Sequence, residues 1–226
     1  DGKPLFNYVR KATVKNLNIF GEHINGYALV DKYTVDYGEN GHYVNDPVRL
    51  RTIDIENVTI KKDTKVLRGG LIGGYASGAN AVNIRNCTVE QDVVIGDDGT
   101  WNDAGNATYT YPYVGSLRYK DSVGSLAGAF NGTISNCISY ATVYGGNSVG
   151  GLVGMKGQSM GPCSINNCAF LGKVIADGEK VGGIIGAGYI SGSAPGTPVV
   201  QVRNSYVAAE ISGSDKVGGI IGSEEG

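Results

Sequence analysis

Residues 164–168 read SINNC and residues 181–186 read VGGIIG, and this pair of segments decides the fold because it recurs along the chain. The pair returns as TISNC and VGGLVG at residues 133–137 and 149–154, and as QVRNS and VGGIIG at residues 201–205 and 217–222. The Asn of the first segment precedes the Val of the second by 13 or 14 residues in all three copies. A unit that recurs in this way cannot bury its apolar side alone, so the copies must stack on one another.

Three weaker copies precede these, and the copies together cover nearly everything after Tyr8. Their paired segments lie at residues 13–17 and 26–30, 54–58 and 69–73, and 83–87 and 123–128. We number the copies as repeats 1 to 6 by the Asn of the first segment: Asn16, Asn57, Asn86, Asn136, Asn167 and Asn204.

The residues around this Asn alternate in polarity, as a strand with one buried face requires. Val or Ile stands two residues before the Asn, and a polar residue stands one before it. The residue after the Asn is small or apolar in every repeat except the last, which has Ser205. Seven residues after the Asn, a second inward column is predicted in the last four repeats, formed by Val93, Val143, Val174 and Ile211.

The Asn itself interrupts the alternation. Asn adopts left-handed backbone angles at lower cost than most residues, so we predict that it forms a corner between two strands. Stacked at the spacing of neighbouring strands, the side-chain amides would form a hydrogen-bonded ladder. An exposed row that binds a ligand is the alternative for this column.

The composition supports a fold built of strands. The chain has 226 residues, of which 37 are Gly and 6 are Pro, and this density of helix-weakening residues argues against a helical protein. Repeated strands without a helical pattern between them predict an all-β fold, a right-handed parallel β-helix (solenoid) of about six coils. We expect a single repeat domain over residues 1–226, with insertions near residues 31–47, 96–120 and 189–198. A β-sandwich is the main rival.

The charge balance and the hydropathy argue against two classes of partner. The net charge is −2, with 19 basic and 21 acidic residues, which gives no electrostatic footprint for nucleic acid. No apolar run reaches the ~18 to 20 residues that cross a bilayer. Because the sequence starts at Asp1 without Met and ends just after a strand-like run, we expect a piece of a longer protein with flanking domains.

The Gly pairs resemble a known repeat family. The segments at residues 149–154, 181–186 and 217–222 are similar to the GLUG motif, and GGLIG at residues 69–73 is a fair match. The segments at residues 123–128 and 26–30 match poorly. GLUG repeats are found in bacterial surface proteins and in the repeat region of secreted bacterial IgA peptidases. The resemblance implies an extracellular bacterial setting and supplies no catalytic residue.

Cysteine and histidine positions give little support for chemistry. Cys87, Cys137 and Cys168 share one inward column and are expected to be reduced, structural thiols, with a disulfide or a metal site as the alternatives. Cys163 lies outside that column, and Cys-X-X-Cys spacing for zinc is missing. No nucleophile motif accompanies His23 or His42, and no cofactor is expected.

The insertion near residues 96–120 holds the candidate ligand contacts. It contains the only Trp of the chain and a group of Tyr, and such side chains stack on sugar rings or anchor protein partners. The candidates are Trp101, Tyr109, Tyr111 and Tyr113. The alternative is that these aromatic side chains cover an apolar side of the coil. Oxygen ligands for calcium are offered by Asp97, Asp98, Asn102 and Asp103, although the EF-hand order is missing.

These features favour a non-catalytic module of the bacterial cell surface, either an adhesin segment or a structural stalk. Its expected partners are a host glycan or a host protein, bound through the inserted loops. Two alternatives remain open. One is a β-helix enzyme that acts on polysaccharide, and the other is the accessory repeat region of a secreted peptidase.

Overall fold

The computed structural model describes residues 5–9, 12–21, 30–33, 53–73, 82–99, 108–111, 115–118, 120–156, 163–189 and 200–225. These residues form β-strands and contain no helix, so the predicted all-β class is confirmed. In chain order the strands are β1 (Phe6–Val9), β2 (Ala12–Ile19), β3 (Val30–Tyr33), β4 (Ile53–Ile60), β5 (Lys65–Val66), β6 (Val82–Arg85), β7 (Thr88–Val89), β8 (Val94–Ile95), β9 (Thr108–Tyr111), β10 (Gly115–Arg118), β11 (Val123–Gly124), β12 (Ala127–Phe130), β13 (Gly132–Ser135), β14 (Ile138–Ser139), β15 (Thr142–Gly145), β16 (Val149–Gly150), β17 (Val153–Lys156), β18 (Cys163–Asn166), β19 (Ala169–Phe170), β20 (Lys173–Ala176), β21 (Glu179–Gly182), β22 (Ile185–Tyr189), β23 (Val200–Arg203), β24 (Tyr206–Val207), β25 (Glu210–Ser212), β26 (Asp215–Gly218) and β27 (Ile221–Glu225).

Equivalent strands of successive repeats pair in parallel. The largest sheet runs β23-β18-β13-β6-β4-β7-β14-β19-β24, with β2 also paired to β4, so that it carries the strands on both sides of the Asn. The strands that come next along the chain in each repeat form three further sheets: β25-β20-β15-β8-β5, β11-β16-β21-β26 and β12-β17-β22-β27. A parallel pair, β1 with β3, and an antiparallel pair, β9 with β10, complete the described strands.

The register of these pairs matches the repeats found in the sequence. Ile84 pairs with Ile55 on one side and with Ile134 on the other. Ile134 pairs in turn with Ile165, and Ile165 with Val202. Like residues therefore lie beside like residues, and the four Ile side chains are buried as the alternation predicts.

The Asn corner is confirmed. All six Asn residues have left-handed backbone angles, with φ between 48° and 57°. The following residues Val58, Cys87, Cys137 and Cys168 are buried, which confirms the predicted inward column at these positions. In the last repeat Ser205 is only partly buried, and Asn204 and Tyr206 on either side of it are exposed.

A second left-handed corner precedes the Val-Gly segment in repeats 3 to 6, and the sequence did not predict it. Positive φ angles occur at Ser122, Ser148, Lys180 and Lys216, the residues directly before the Val of that segment. The residues before these corners bond to one another in repeats 3 to 5. The backbone N–H of Asn147 donates to Asp121 Oδ1 at 2.9 Å, and the backbone N–H of Glu179 donates to Asn147 Oδ1 at 3.1 Å. These two bonds connect the corners of repeats 3, 4 and 5.

The Gly pairs are required by close approach between repeats. A Cβ atom added to Gly151 would lie closer than 3.0 Å to the carbonyl oxygen of Gly183, and one added to Gly183 equally close to that of Gly219. Neither glycine has a positive φ, so the absence of a side chain is what matters here. The backbones of successive repeats therefore meet where any larger residue would separate them.

The second inward column differs from the prediction in repeat 3. Val143 pairs with Ile95 and with Val174, so Ile95 and not Val93 belongs to this column. Repeats 2 and 3 have two more residues in the turn before this strand, where Asp63 and Asp92 take φ of 63° and 62°. Val93 is still buried, because it packs in the core within that longer turn.

Ion pairs on the outer surface connect neighbouring repeats. Lys173 and Glu210 are register partners with Nζ and Oε2 3.0 Å apart. Other pairs of neighbouring repeats join Lys61 to Glu90, Lys65 to Asp98 and Lys216 to Glu179. The pair of Lys120 and Asp177 connects repeat 3 to repeat 5 across repeat 4. Each exposed pair contributes little to stability, yet opposite charges at register positions disfavour a shifted pairing.

The first residues of two predicted insertions lie in described strands. Residues 31–33 belong to β3, which pairs with β1, and Tyr189 ends β22, where it pairs with Glu225. The remainder of both insertions, residues 34–47 and 190–198, lies outside the described residues.

Candidate functional site

A groove runs along the Asn column on the outer surface of the largest sheet. Its volume is about 270 Å³, and it crosses repeats 4, 5 and 6. Its lining residues come from the Asn corner and the strands that follow it: Asn136, Cys137, Ile138, Asn167, Cys168, Ala169, Asn204 and Tyr206. The groove lies where the left-handed Asn residues turn the chain from one strand into the next.

The amides of the Asn column bind one another at three of the predicted steps. Asn57 Nδ2 donates to Asn16 Oδ1 at 2.8 Å, Asn136 Nδ2 to Asn86 Oδ1 at 3.3 Å, and Asn167 Nδ2 to Asn136 Oδ1 at 2.7 Å. Asn204 departs from the series, because its Nδ2 donates to Asn166 Oδ1 at 3.1 Å.

The ladder leaves hydrogen-bonding capacity on the exposed side of the groove. An amide side chain has two N–H donors and an oxygen with two lone pairs. Within the ladder Asn136 donates one hydrogen and accepts one, so a second N–H and a second lone pair are available to a ligand. The free N–H groups and lone pairs of the Asn column alternate at the spacing of neighbouring strands. A ligand with several hydroxyl groups, which both donate and accept, matches this alternation better than an anion, which only accepts.

The thiols at the floor of the groove fill a structural role. Each Sγ donates to the carbonyl oxygen two residues earlier at 3.2 Å, Cys87 to Arg85, Cys137 to Ser135 and Cys168 to Asn166. In the last repeat Ser205 Oγ makes the same bond to Arg203 at 2.7 Å. In the sequence Ser205 is the one residue of its column that is neither Cys nor apolar. In the structure its hydroxyl makes the same hydrogen bond as the three cysteine thiols.

The middle thiol is unsuited to nucleophilic chemistry. Cys137 lies against the thiols of Cys168 and Cys87, and these contacts together with burial raise its pKa above the ordinary range of a thiol. All four cysteines are free, and each of them is buried. A nucleophilic cysteine needs a lowered pKa and access to the substrate, and Cys137 has neither.

The buried thiol of Cys163 gives a prediction for stability at alkaline pH. Burial raises its pKa from about 9.0 to about 12. Between these values the unfolded chain releases a proton that the folded chain retains, so stability falls by about 1.4 kcal/mol per pH unit from this group. We expect urea unfolding between pH 9 and pH 11 to give a steeper decline for the wild type than for Cys163→Ala. Parallel declines for the two proteins would contradict this prediction.

A charged cluster lies on the same sheet but away from the groove. Arg85 Nη2 is 3.2 Å from Glu56 Oε2, and Arg85 Nη1 is 3.6 Å from Asp54 Oδ1. The hydrogen bond with Glu56 raises the pKa of Arg85, and Asn83 Nδ2 donates to Asp54 Oδ1 at 3.0 Å. These acids are engaged by register neighbours, and none of them lines the groove.

The aromatic candidates in the insertion are only partly described. Tyr109 and Tyr111 stand at alternate positions of β9, which pairs with β10 so that Tyr111 faces Gly115 and Tyr109 faces Leu117. The insertion therefore includes a two-stranded antiparallel hairpin. Trp101 and Tyr113 lie outside the described residues.

The candidate calcium ligands do not converge within the described part of the chain. Asp98 Oδ2 is 3.3 Å from Lys65 Nζ, and Asp97 Oδ1 accepts a hydrogen bond from the Gly99 amide at 2.9 Å. Asn102 and Asp103 fall in the undescribed range 100–107. Over the described ranges, no group of three or more His, Cys, Asp or Glu residues is placed to hold a metal ion.

Sequence reasoning missed the groove residues outside the Asn column. Ile138, Ala169 and Tyr206 are register partners on the outer side of their strands. Tyr206 has 56% of its surface exposed, the highest exposure in this row. The sequence signal that could have identified Tyr206 is its position two residues after the Asn, because a side chain that points outward there lies beside the corner.

Comparisons of the chain with models of protein families, with curated proteins and with solved structures find no match. In the part of the chain that the structure describes, no helix combines the length and the apolar character needed to cross a membrane.

Proposed function

We propose that this chain is a right-handed parallel β-helix of about six coils that functions as a non-catalytic module of the bacterial cell surface. The observation that carries the proposal is the in-register pairing of equivalent residues in successive repeats, from Ile55 through Ile84, Ile134 and Ile165 to Val202. A stack of this kind forms a rigid spacer with long lateral faces, which suits an adhesin segment or a stalk.

The extracellular bacterial setting is supported by the resemblance of the Gly pairs to the GLUG motif. The contacts of Gly151 and Gly183 give that pattern a physical reason, because both glycines permit close approach between repeats. Because the glycines are needed for packing between repeats, they are needed whatever ligand the surface binds. The motif therefore supports a role as a scaffold more directly than it supports the binding of any particular partner.

A non-catalytic role is supported by the chemistry of the groove. Its lining offers amides, two buried thiols, a Tyr and aliphatic side chains, and no carboxylate or imidazole. Hydrolysis of a glycosidic bond by the usual mechanism needs a pair of carboxyl groups beside the scissile bond. Asp54 and Glu56, two acids at alternate positions of β4, are held by Arg85 and Asn83.

We further propose that a glycan or a host protein binds through the hairpin insertion. Its base is fixed on both sides by ion pairs, since Asp98 binds Lys65 and Lys120 Nζ lies 2.8 Å from Asp177 Oδ2. Between these anchors lie Trp101, Tyr109, Tyr111 and Tyr113. Tyr109 and Tyr111 lie on a strand of this hairpin, and aromatic side chains in an insertion between two anchored points are suited to contact with a partner.

The test is a deletion that keeps both anchors. Residues 101–118 are replaced by a short Gly-Ser linker, so that Asp98 and Lys120 remain, and the full chain and the variant are applied to a glycan array and to host extracellular-matrix proteins. We expect every partner of the full chain to be lost with the deletion. The matched variant Tyr206→Ala alters the groove alone and is expected to leave binding unchanged. Binding that survives the deletion and is lost with Tyr206→Ala would move the site to the groove.

A further inference from the structure

The second glycine of each pair is enclosed by the repeat that follows it, with one exception. A Cβ atom added to Gly70, Gly151 or Gly183 would lie closer than 3.0 Å to a carbonyl oxygen of the next repeat, in Ser125, Gly183 and Gly219 respectively. A Cβ atom added to Gly219 would have no atom within 4 Å. Gly219 thus has the residue type that close approach requires, although no described residue approaches it.

The apolar residues around Gly219 are exposed where their counterparts are enclosed. Val181 and Ile184 in repeat 5 have no exposed surface, whereas Val217 and Ile220 in repeat 6 are 47% and 38% exposed. Val217 is the register partner of Val181. We call Val217, Gly219 and Ile220 the open face.

The backbone donors of the open face have a defined direction. In repeat 4 the amides of Gly151 and Leu152 donate to Gly182 and Ile184 of repeat 5, both at 3.0 Å. In repeat 5 the amide of Ile184 donates to Ile220 of repeat 6 at 2.9 Å. The amides of Gly219 and Ile220 hold these positions in repeat 6, so they point to the side on which the described residues contain no further repeat.

We propose that the open face binds a further repeat with the Val-Gly-Gly-aliphatic-aliphatic-Gly pattern. Its backbone carbonyls would accept hydrogen bonds from Gly219 and Ile220, and its chain would pass over Gly219 as Gly219 passes over Gly183. These contacts are those between repeats, so they do not depend on where the protein functions.

A second copy of this chain stacked head to tail fits the open face less well. In the largest sheet one column runs through Lys15, Glu56, Arg85, Ser135, Asn166 and Arg203. Stacking repeat 1 of another copy on repeat 6 would place Lys15 beside Arg203, and like charges at directly opposed positions are destabilising.

The experiment adds a repeat of this pattern. A copy of residues 133–156 is joined directly after Gly226, because Glu224 holds the register position that Phe130 holds three residues before Thr133. Gly219→Ala is then made in the original chain and in the extended chain, and thermal unfolding is measured for all four proteins. We expect a change below about 1 °C in the original chain and a loss of roughly 4 °C or more in the extended chain.

Gly183→Ala is the positive control, since it should lower the midpoint in both chains. Hydrogen exchange supplies a second readout, in which the amides of Gly219 and Ile220 should exchange rapidly in the original chain and slowly in the extended one. An equal response of both chains to Gly219→Ala, unprotected amides in the extended chain, or failure of the extended chain to fold would each overturn the proposal. A concentration-dependent dimer of the original chain that Val217→Glu dissociates would also overturn it, because the occupant would then be a second copy.

Discussion

Replacing Gly151 by Ala is expected to lower the free energy of unfolding by about 3 kcal/mol or more. The added methyl group would lie closer than 3.0 Å both to the carbonyl oxygen of Gly183 and to the ring of Phe170. The backbone of repeat 5 cannot move away without breaking the hydrogen bonds that the amides of Gly151 and Leu152 donate to it. Overpacking of a close-packed core costs about 1–3 kcal/mol, and more where the obstacle is backbone. Urea unfolding followed by circular dichroism measures the change.

Gly219→Ala is the matched control for this substitution. It makes the same chemical change at the equivalent position of the last repeat, where the methyl group would meet no atom within 4 Å. We expect a change of less than about 0.5 kcal/mol, as for an ordinary surface substitution. Equal losses for the two variants would mean that contact with the following repeat is not what requires glycine, and the close-approach explanation would be wrong.

Replacing Asn136 by Ala is expected to cost about 2–4 kcal/mol. Asn136 has φ of 54°, and a left-handed conformation costs other residues about 1–2 kcal/mol. The substitution also removes the bond donated to Asn86 and the one accepted from Asn167, each worth about 0.5–1.5 kcal/mol. Denaturant unfolding of the two proteins checks the value.

Asn136→Gly separates the two contributions. Glycine adopts the left-handed angles freely, so this variant loses only the amide bonds and should cost about 1–2 kcal/mol. Ser135→Ala, one residue earlier on the outer side of the strand, serves as the neutral control. If Asn136→Gly were as stable as the wild type, the hydrogen bonds of the ladder would contribute nothing to stability. The left-handed corner would then be the sole structural reason for Asn at these positions.

The sequence predicts those parts of the fold that depend on one residue type at one position. The Asn corner follows from the ability of Asn to adopt a left-handed conformation, and the inward columns follow from the period of two around it. The left-handed angles at Ser122, Ser148, Lys180 and Lys216 could not be predicted in the same way, because neither Ser nor Lys favours them. Their neighbours impose this conformation through the bonds of Asp121 and Asn147 to the next repeat.

The candidate site was less predictable than the fold. The Asn column indicated one wall of the groove, whereas Ile138, Ala169 and Tyr206 share no residue type and form the other wall only through their common register. Ile95 and not Val93 occupies the second inward column because the turn at Asp92 is two residues longer than in repeats 4 to 6. Counting seven residues from the Asn, as the sequence prediction does, takes no account of that extra length. Both failures concern places where the three-dimensional pairing selects residues that the pattern treats as unrelated.

The longer turns at Asp63 and Asp92 limit how this molecule can be rearranged by duplication or recombination. Repeats 2 and 3 share one length between the Asn strands and the next sheet, and repeats 4 to 6 share a shorter one, since Ile60 and Val89 align with Ser139 while Val66 and Ile95 align with Val143. Turns exchanged within either group would keep their register partners, whereas an exchange between the groups would add another junction like the one between repeats 3 and 4, where two residues have no register partner. The stack therefore contains two classes of turn, and growth by copying within a class is the route that adds no such junction.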